Sequence, residues 1–415
     1  STDSYNTAVG FYAGLAVTTG TRNTIIGGLA GDAITTGAKN VAVGTSAMST
    51  NILGSRSVAV GDSALATQNS ATAVDMYNTA VGHGAGSAVT TGTLNTLIGG
   101  LAGDALTGAV GNNVFGYGAL SADTLGNQST AIGYLTLASQ NFTTATSVYN
   151  TAVGSQAGND ITTGVQNAFI GALAGDALTD ADYNVGVGVN ALGSDTLGSR
   201  NTALGFGTLQ TQNFTTATDA YNVAVGMNAG ALVTTGQYNT LIGGSAGDAL
   251  TDADANIAVG YGSLGANTIG SKSVAVGMEA LAKQNPATAV DMYNTAIGHD
   301  AGYAVTTGVK NTLIGGLAGD SLTTGSENVS LGYGSLKTDD LGSHSVAVGA
   351  SALASQNYAT ATNSYNTAVG SFAGYAITTG VNNTLMGRGA GDALTDADSN
   401  VAIGYGALTA DTLGS

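Results

Sequence analysis

Tyr77-Asn-Thr-Ala-Val-Gly-His-Gly-Ala-Gly-Ser-Ala-Val-Thr-Thr-Gly92 decides the fold, because the rest of the chain is this stretch copied with variation. Its opening, Tyr-Asn-(Thr/Val)-Ala-(Val/Ile)-Gly, begins at Tyr5, Tyr77, Tyr149, Tyr221, Tyr293 and Tyr365, at a constant spacing of 72 residues. Inside each super-repeat, segments open at Asn78, Asn95, Asn112 and Ser129, 17 residues apart, and a 21-residue step returns to Asn150. We call these segments coils a, b, c and d and count positions from the opening Asn or Ser.

The residues after each opening alternate with the period of two of a short strand. All 23 coils place Gly at the fifth position, among them Gly10, Gly27, Gly44, Gly61 and Gly243. Glycine is required where a corner needs positive φ or a close backbone approach. Seventeen residues are too few for the helical repeats, which need about 33 or more, so two short strands joined by Gly-centred corners are expected per coil. The chain therefore reads as all-β, a parallel β-solenoid or β-roll of 23 coils (17/17/17/21 residues) forming one repetitive shaft over residues 1–415 without a second domain. The four extra residues of coil d, as in Gln68 to Met76, are expected to bulge as a loop.

Alternation also sorts the faces. The fourth position (Val9, Ile26, Val43, Val60, Val81, Ile98) is apolar throughout and is expected inside. The third is mostly Ala but bulky in every coil b, at Ile25, Leu97, Phe169, Leu241, Leu313 and Leu385. On the opposite face these six would form an apolar stripe that marks an interface, and the geometry alone permits a dimer or a trimer.

Composition narrows the function. The 415 residues include 65 Gly, one Pro, no Cys and no Trp, with 8% charged residues against about 25% in ordinary soluble domains. Nine Lys and Arg against 26 Asp and Glu give a net charge of −17, which argues against nucleic acid as a partner because basic clusters are needed to displace its counterions. No apolar run approaches the ~20 residues of a membrane span, so no membrane insertion is expected. The sequence begins and stops inside a repeat, and solenoid ends expose strand edges, so flanking fibre domains or end-to-end stacking are expected.

Ser57-Val-Ala-Val-Gly-Asp-Ser-Ala-Leu-Ala66, with its copies at Ser273 to Ala282 and Ser345 to Ala354, resembles the head repeats of YadA-type trimeric autotransporter adhesins. That resemblance implies a left-handed parallel β-roll and a homotrimer. Asn95 to Thr107 and Asn239 to Thr251 look more like the repetitive shafts of phage tail-fibre proteins. Together they imply an extracellular location, on a virion or cell surface, and a host glycan or receptor as partner.

Candidate sites are few. Asp32, Asp104, Asp176, Asp248, Asp320 and Asp392 form a column, one per super-repeat. Such a column could hold cations, but one carboxylate in four coils also spaces like charges beyond the Debye length of ~8 Å, and charge spacing is the simpler reading. The Thr-Asp-Ala-Asp turns (Asp180 and Asp182, Asp252 and Asp254, Asp396 and Asp398) are weak calcium candidates; two carboxylates supply only part of the 6–8 oxygens calcium takes, and solvated turns are expected. His83, His299 and His344 read as surface variation, the tyrosine column as packing beside the coil-d loops or a sugar-stacking ladder, and Arg56, Arg200, Lys272 and His344 as partners for a neighbouring chain's Asp. Gly27 to Gly31 mimics a phosphate loop but lacks the following Lys. No catalytic, cofactor or firm metal site emerges, and no unique constellation suggests an enzyme. The function classes are a structural fibre shaft, an adhesin head binding a host polymer directly, and an ice-binding solenoid; Thr-Thr pairs such as Thr90-Thr91 recur but are missing from coils c and d.

Overall fold

The computed structural model describes residues 3–412. It is a parallel β-solenoid of about 23 coils without helix. The Cα framework groups into two compact units, one of residues up to 201 with 213–219, the other of 202–212 with residues from 220 onward. Each is built from the same coil.

One three-residue strand stands at the start of each coil, such as Thr79–Val81 and Thr96–Ile98. Neighbours pair in parallel and in strict register: Thr79 faces Thr96, Ala80 faces Leu97 and Val81 faces Ile98. The 21-residue step keeps the register, since Val58, Ala59 and Val60 face Thr79, Ala80 and Val81. Thr, Val and Ile suit these strands because β-branched side chains pack well on a pleated surface. Among the described residues the second strand expected in every coil is found only at coil c to coil d steps, where pairs such as Gly126–Asn127 and Thr146–Ser147 form. Elsewhere that part of the coil turns, and single backbone bonds such as Gly92 N–H to Thr107 O (3.1 Å) tie it to the next coil.

The corner glycines are where the sequence places them. Gly27 has φ +133° and Gly243 φ +135°, and a Cβ on Gly243 would lie 2.7 Å from the Gly260 carbonyl. Tyr, Leu, Arg, Lys, Gln, Ser and other unbranched residues occupy further left-handed positions, while no Val, Ile or Thr among the described residues does so, as expected from the strain a β-branched residue meets there.

The two strand faces are the reverse of the expectation. Leu97 is 0% exposed and Ile98 36%, and Ile25, Phe169, Leu241, Leu313 and Leu385 are likewise buried inside the single chain. These six are core residues and not a trimer interface. The cause is volume. Coils a and b carry Gly at the ninth position, and Cβ atoms on Gly86 and Gly103 would fall 2.6 and 2.9 Å from the Leu97 methyls. Coils c and d carry Leu or Met there instead, such as Leu120 and Leu137, and keep a smaller third residue such as Val114 or Ala131. Large and small side chains thus exchange positions from coil to coil to fill one narrow interior.

Beside this core runs an asparagine ladder. The buried opening Asn accepts the next opening residue's N–H on Oδ1, and its Nδ2 donates to a carbonyl 14 residues on, as when Asn78 Nδ2 reaches Gly92 O at 2.8 Å. In coil d a buried Gln joins in: Gln140 Oε1 accepts from Asn150 Nδ2 at 2.9 Å. The coil-d loop is anchored at both ends by buried Gln68 and Met76 and exposes residues 71–75 between them.

Candidate functional site

The residue before each opening Asn or Ser forms a column on the surface, and it concentrates the exposed chemistry. Six of the nine Lys and Arg lie in it (Arg22, Lys39, Arg56, Arg200, Lys272, Lys310), interleaved with tyrosines. Every Lys, Arg and Tyr in the column has left-handed φ, between +48° at Tyr365 and +63° at Arg200, which turns the side chain outward. The rings are about half exposed, Tyr77 at 48%, so they do not serve mainly as covers for the core.

Arg56, Arg200 and Lys272 pair within the chain, with Asp75, Asp219 and Asp291 of the following coil-d loop, at 2.9, 3.0 and 2.6 Å. His344 pairs with Glu327 at 3.2 Å and stacks on Tyr365. A neighbouring chain is therefore not needed to satisfy them. Lys272 and Asp291 stabilise each other's charged forms through their hydrogen bond, moving the ammonium pKa up and the carboxyl pKa down. His83 and His299 are exposed beside Asp62 and Asp300.

In the Thr-Asp-Ala-Asp turns the second carboxylate has a structural partner. Asp182, Asp254 and Asp398 accept the backbone N–H of Val165, Gln237 and Val381 at 2.7, 2.8 and 2.8 Å. Ser55 Oγ and Asn127 Oδ1 do the same for Ala38 and Val110, so Asp here substitutes for a neutral acceptor. Asp180 accepts from Thr163 Oγ1 at 2.6 Å. Desolvation raises the Asp182 carboxyl pKa.

The coil-b Asp column is half-buried and not simply solvated. Desolvation raises the carboxyl pKa of Asp104, Asp176, Asp248 and Asp320, and the Oδ1 atoms of Asp32, Asp104, Asp176, Asp320 and Asp392 are buried without a hydrogen-bond partner. Among the described residues no three His, Cys, Asp or Glu side chains converge as a metal site, and none forms a helix long and apolar enough to cross a membrane.

Two features escaped the sequence reading. The outward stripe is the fourth position (Val9, Ile26, Ile98, Ile170, Ile242 and their equivalents), with Thr or Val beside it at the second position of most coils. The other is that Arg22, Lys39 and Lys310 share one column with Arg56, Arg200, Lys272 and the tyrosines; its signal is the alignment of all 23 coils by their last residue rather than their first. The chain matches no known family model and has no significant match among curated proteins.

Proposed function

We propose that this chain is a structural shaft of an extracellular fibre, on a virion or cell surface, which carries a host-attachment surface and in which copies associate as a homotrimer through the fourth-position stripe. The observation that supports this is the stripe itself: the fourth residue is apolar in every coil and is never buried in any three-residue strand. Strands about 4.8 Å apart, with outward positions about 6.8 Å apart, present roughly 33 Å² per coil, hence roughly 360 Å² on one unit and roughly 400 Å² on the other. A standard interface buries ~800 Å² on each partner, and monomers rarely leave contiguous apolar patches larger than a few hundred Å² in water. The count of three follows from the adhesin-like repeats at Ser57, Ser273 and Ser345. Uniform repetition favours a spacer over a catalyst, since catalysis needs a unique set of groups.

Cysteine cross-linking tests the interface, because the chain has no cysteine of its own. Oxidation of Ile98→Cys should give covalent dimers, and Thr91→Cys, exposed in the preceding coil, should not. Equal cross-linking by both, or none by Ile98→Cys, would contradict association through the stripe.

A further inference from the structure

Arg22, Lys39 and Arg56 stand in three consecutive coils, flanked by Tyr5 and Tyr77 in the coils on either side. Backbone bonds fix their spacing: the N–H groups of Arg22, Lys39 and Arg56 donate to Ser4 O, Thr21 O and Ala38 O at 2.7, 2.9 and 3.0 Å. All three side chains are exposed. One strand step is about 4.8 Å, well inside the Debye length of ~8 Å, so Lys39 is held between two like charges. Only Arg56 has an ion-pair partner among the described residues, Asp75 at 2.9 Å; Tyr5 hydrogen-bonds Asp3 at 3.0 Å. Three like charges one step apart repel one another, whereas the coil-b Asp are spaced 72 residues apart.

We infer that the column Tyr5–Arg22–Lys39–Arg56–Tyr77 binds a linear acidic polysaccharide lying along the stack of coils. The cations meet successive carboxylates or sulfates, since a strand step is close to the length of one sugar residue. The half-exposed Tyr77 ring, with the Arg56 guanidinium 5.5 Å from its centre, offers its free surface to a pyranose face. Nucleic acid fits less well, because a single strand is held by successive bases stacking on aromatic rings, and here the two rings, Tyr5 and Tyr77, stand at opposite ends of the three cations. This site goes beyond the shaft proposal and does not depend on association between copies.

The test is calorimetric titration of the full chain with oligogalacturonate, with a heparin oligosaccharide, with a neutral maltooligosaccharide of equal length and with oligo-dT. At least one acidic sugar should bind, more weakly as salt rises, and maltooligosaccharide should not. The double variant Arg22→Gln/Lys39→Gln should lose at least about tenfold in affinity, because two charge-assisted contacts go. Tyr77→Ala should weaken binding where Tyr77→Phe does not. Lys310→Gln, in the same column of the other unit, should leave it unchanged. Binding of neither acidic sugar, equal binding of oligo-dT, or undiminished binding by the double variant would overturn the proposal. So would a native assembly mass that falls in the double variant without ligand, because the column would then pair copies.

Discussion

The backbone N–H of Asn95 donates to Oδ1 of Asn78 in the preceding coil at 3.0 Å. Asn95 in turn accepts the Asn112 N–H on its own Oδ1 at 3.0 Å and donates Nδ2 to Ala109 O at 2.8 Å. One buried side chain therefore satisfies backbone groups of two coils.

Asn95→Ala leaves a buried N–H and a buried carbonyl without partners. At about 1–3 kcal/mol for each, a loss of roughly 2–6 kcal/mol is expected, read as a lowered melting temperature. Asn95→Ser should cost less, because Ser57, Ser129, Ser273 and Ser345 already open coils. Equal melting of the Ala variant and the native chain would remove the ladder from the account of stability.

Gly243→Val should lower the melting temperature far more than Gly244→Ala next to it. At Gly243 φ is +135° and a Cβ would strike the Gly260 carbonyl carbon and oxygen at 2.7 Å, whereas at Gly244 it would meet only the Tyr261 ring at 3.5 Å. Indistinguishable melting of the two variants would show that the corner tolerates a side chain.

Leu97→Asp should unfold its coil, while Ile98→Asp should keep the far-ultraviolet circular dichroism of the native chain. The opposite result would restore the face assignment that alternation suggests. Coil length, register and corner glycines are all legible in the sequence, because a fixed period and an unvarying Gly leave few alternatives. The inward face was not, since a three-residue strand that is apolar at both its middle and last positions has no polar side to read. What decides between Leu97 and Ile98 is the missing side chain of Gly86 and Gly103, a volume match between positions six and eleven residues from Leu97. The cation column was only half legible. Tyr77 and Arg56 were visible as separate repeats, but their shared left-handed turn and exposure belong to the folded coil.

Asp339 is buried, with Oδ1 accepting Gly342 N–H at 3.0 Å and Oδ2 accepting Gln356 Nε2 at 2.6 Å, and desolvation pushes its pKa up to about 6. The unfolded carboxyl titrates near 3.9, so the folded state holds this proton more tightly. Stability from this group is therefore greatest below about pH 4, falls as pH rises from about 4 to about 6, and is flat above. Two pKa units correspond to about 3 kcal/mol at pH 7. Asp339→Asn, which installs the residue found at Asn51 and Asn267, should raise the melting temperature at pH 7, and the gain should shrink toward pH 4. A gain that is absent, or that grows on acidification, would contradict the assignment.

The mass of the assembly in solution tests association through the outward stripe most directly. Sedimentation equilibrium of the native chain, 40.3 kDa, should give three times that mass, and Ile98→Asp/Ile242→Asp should give a folded species of 40.3 kDa with native circular dichroism. A native chain that stays at 40.3 kDa across the concentration range, or a double variant that keeps the native mass, would contradict it.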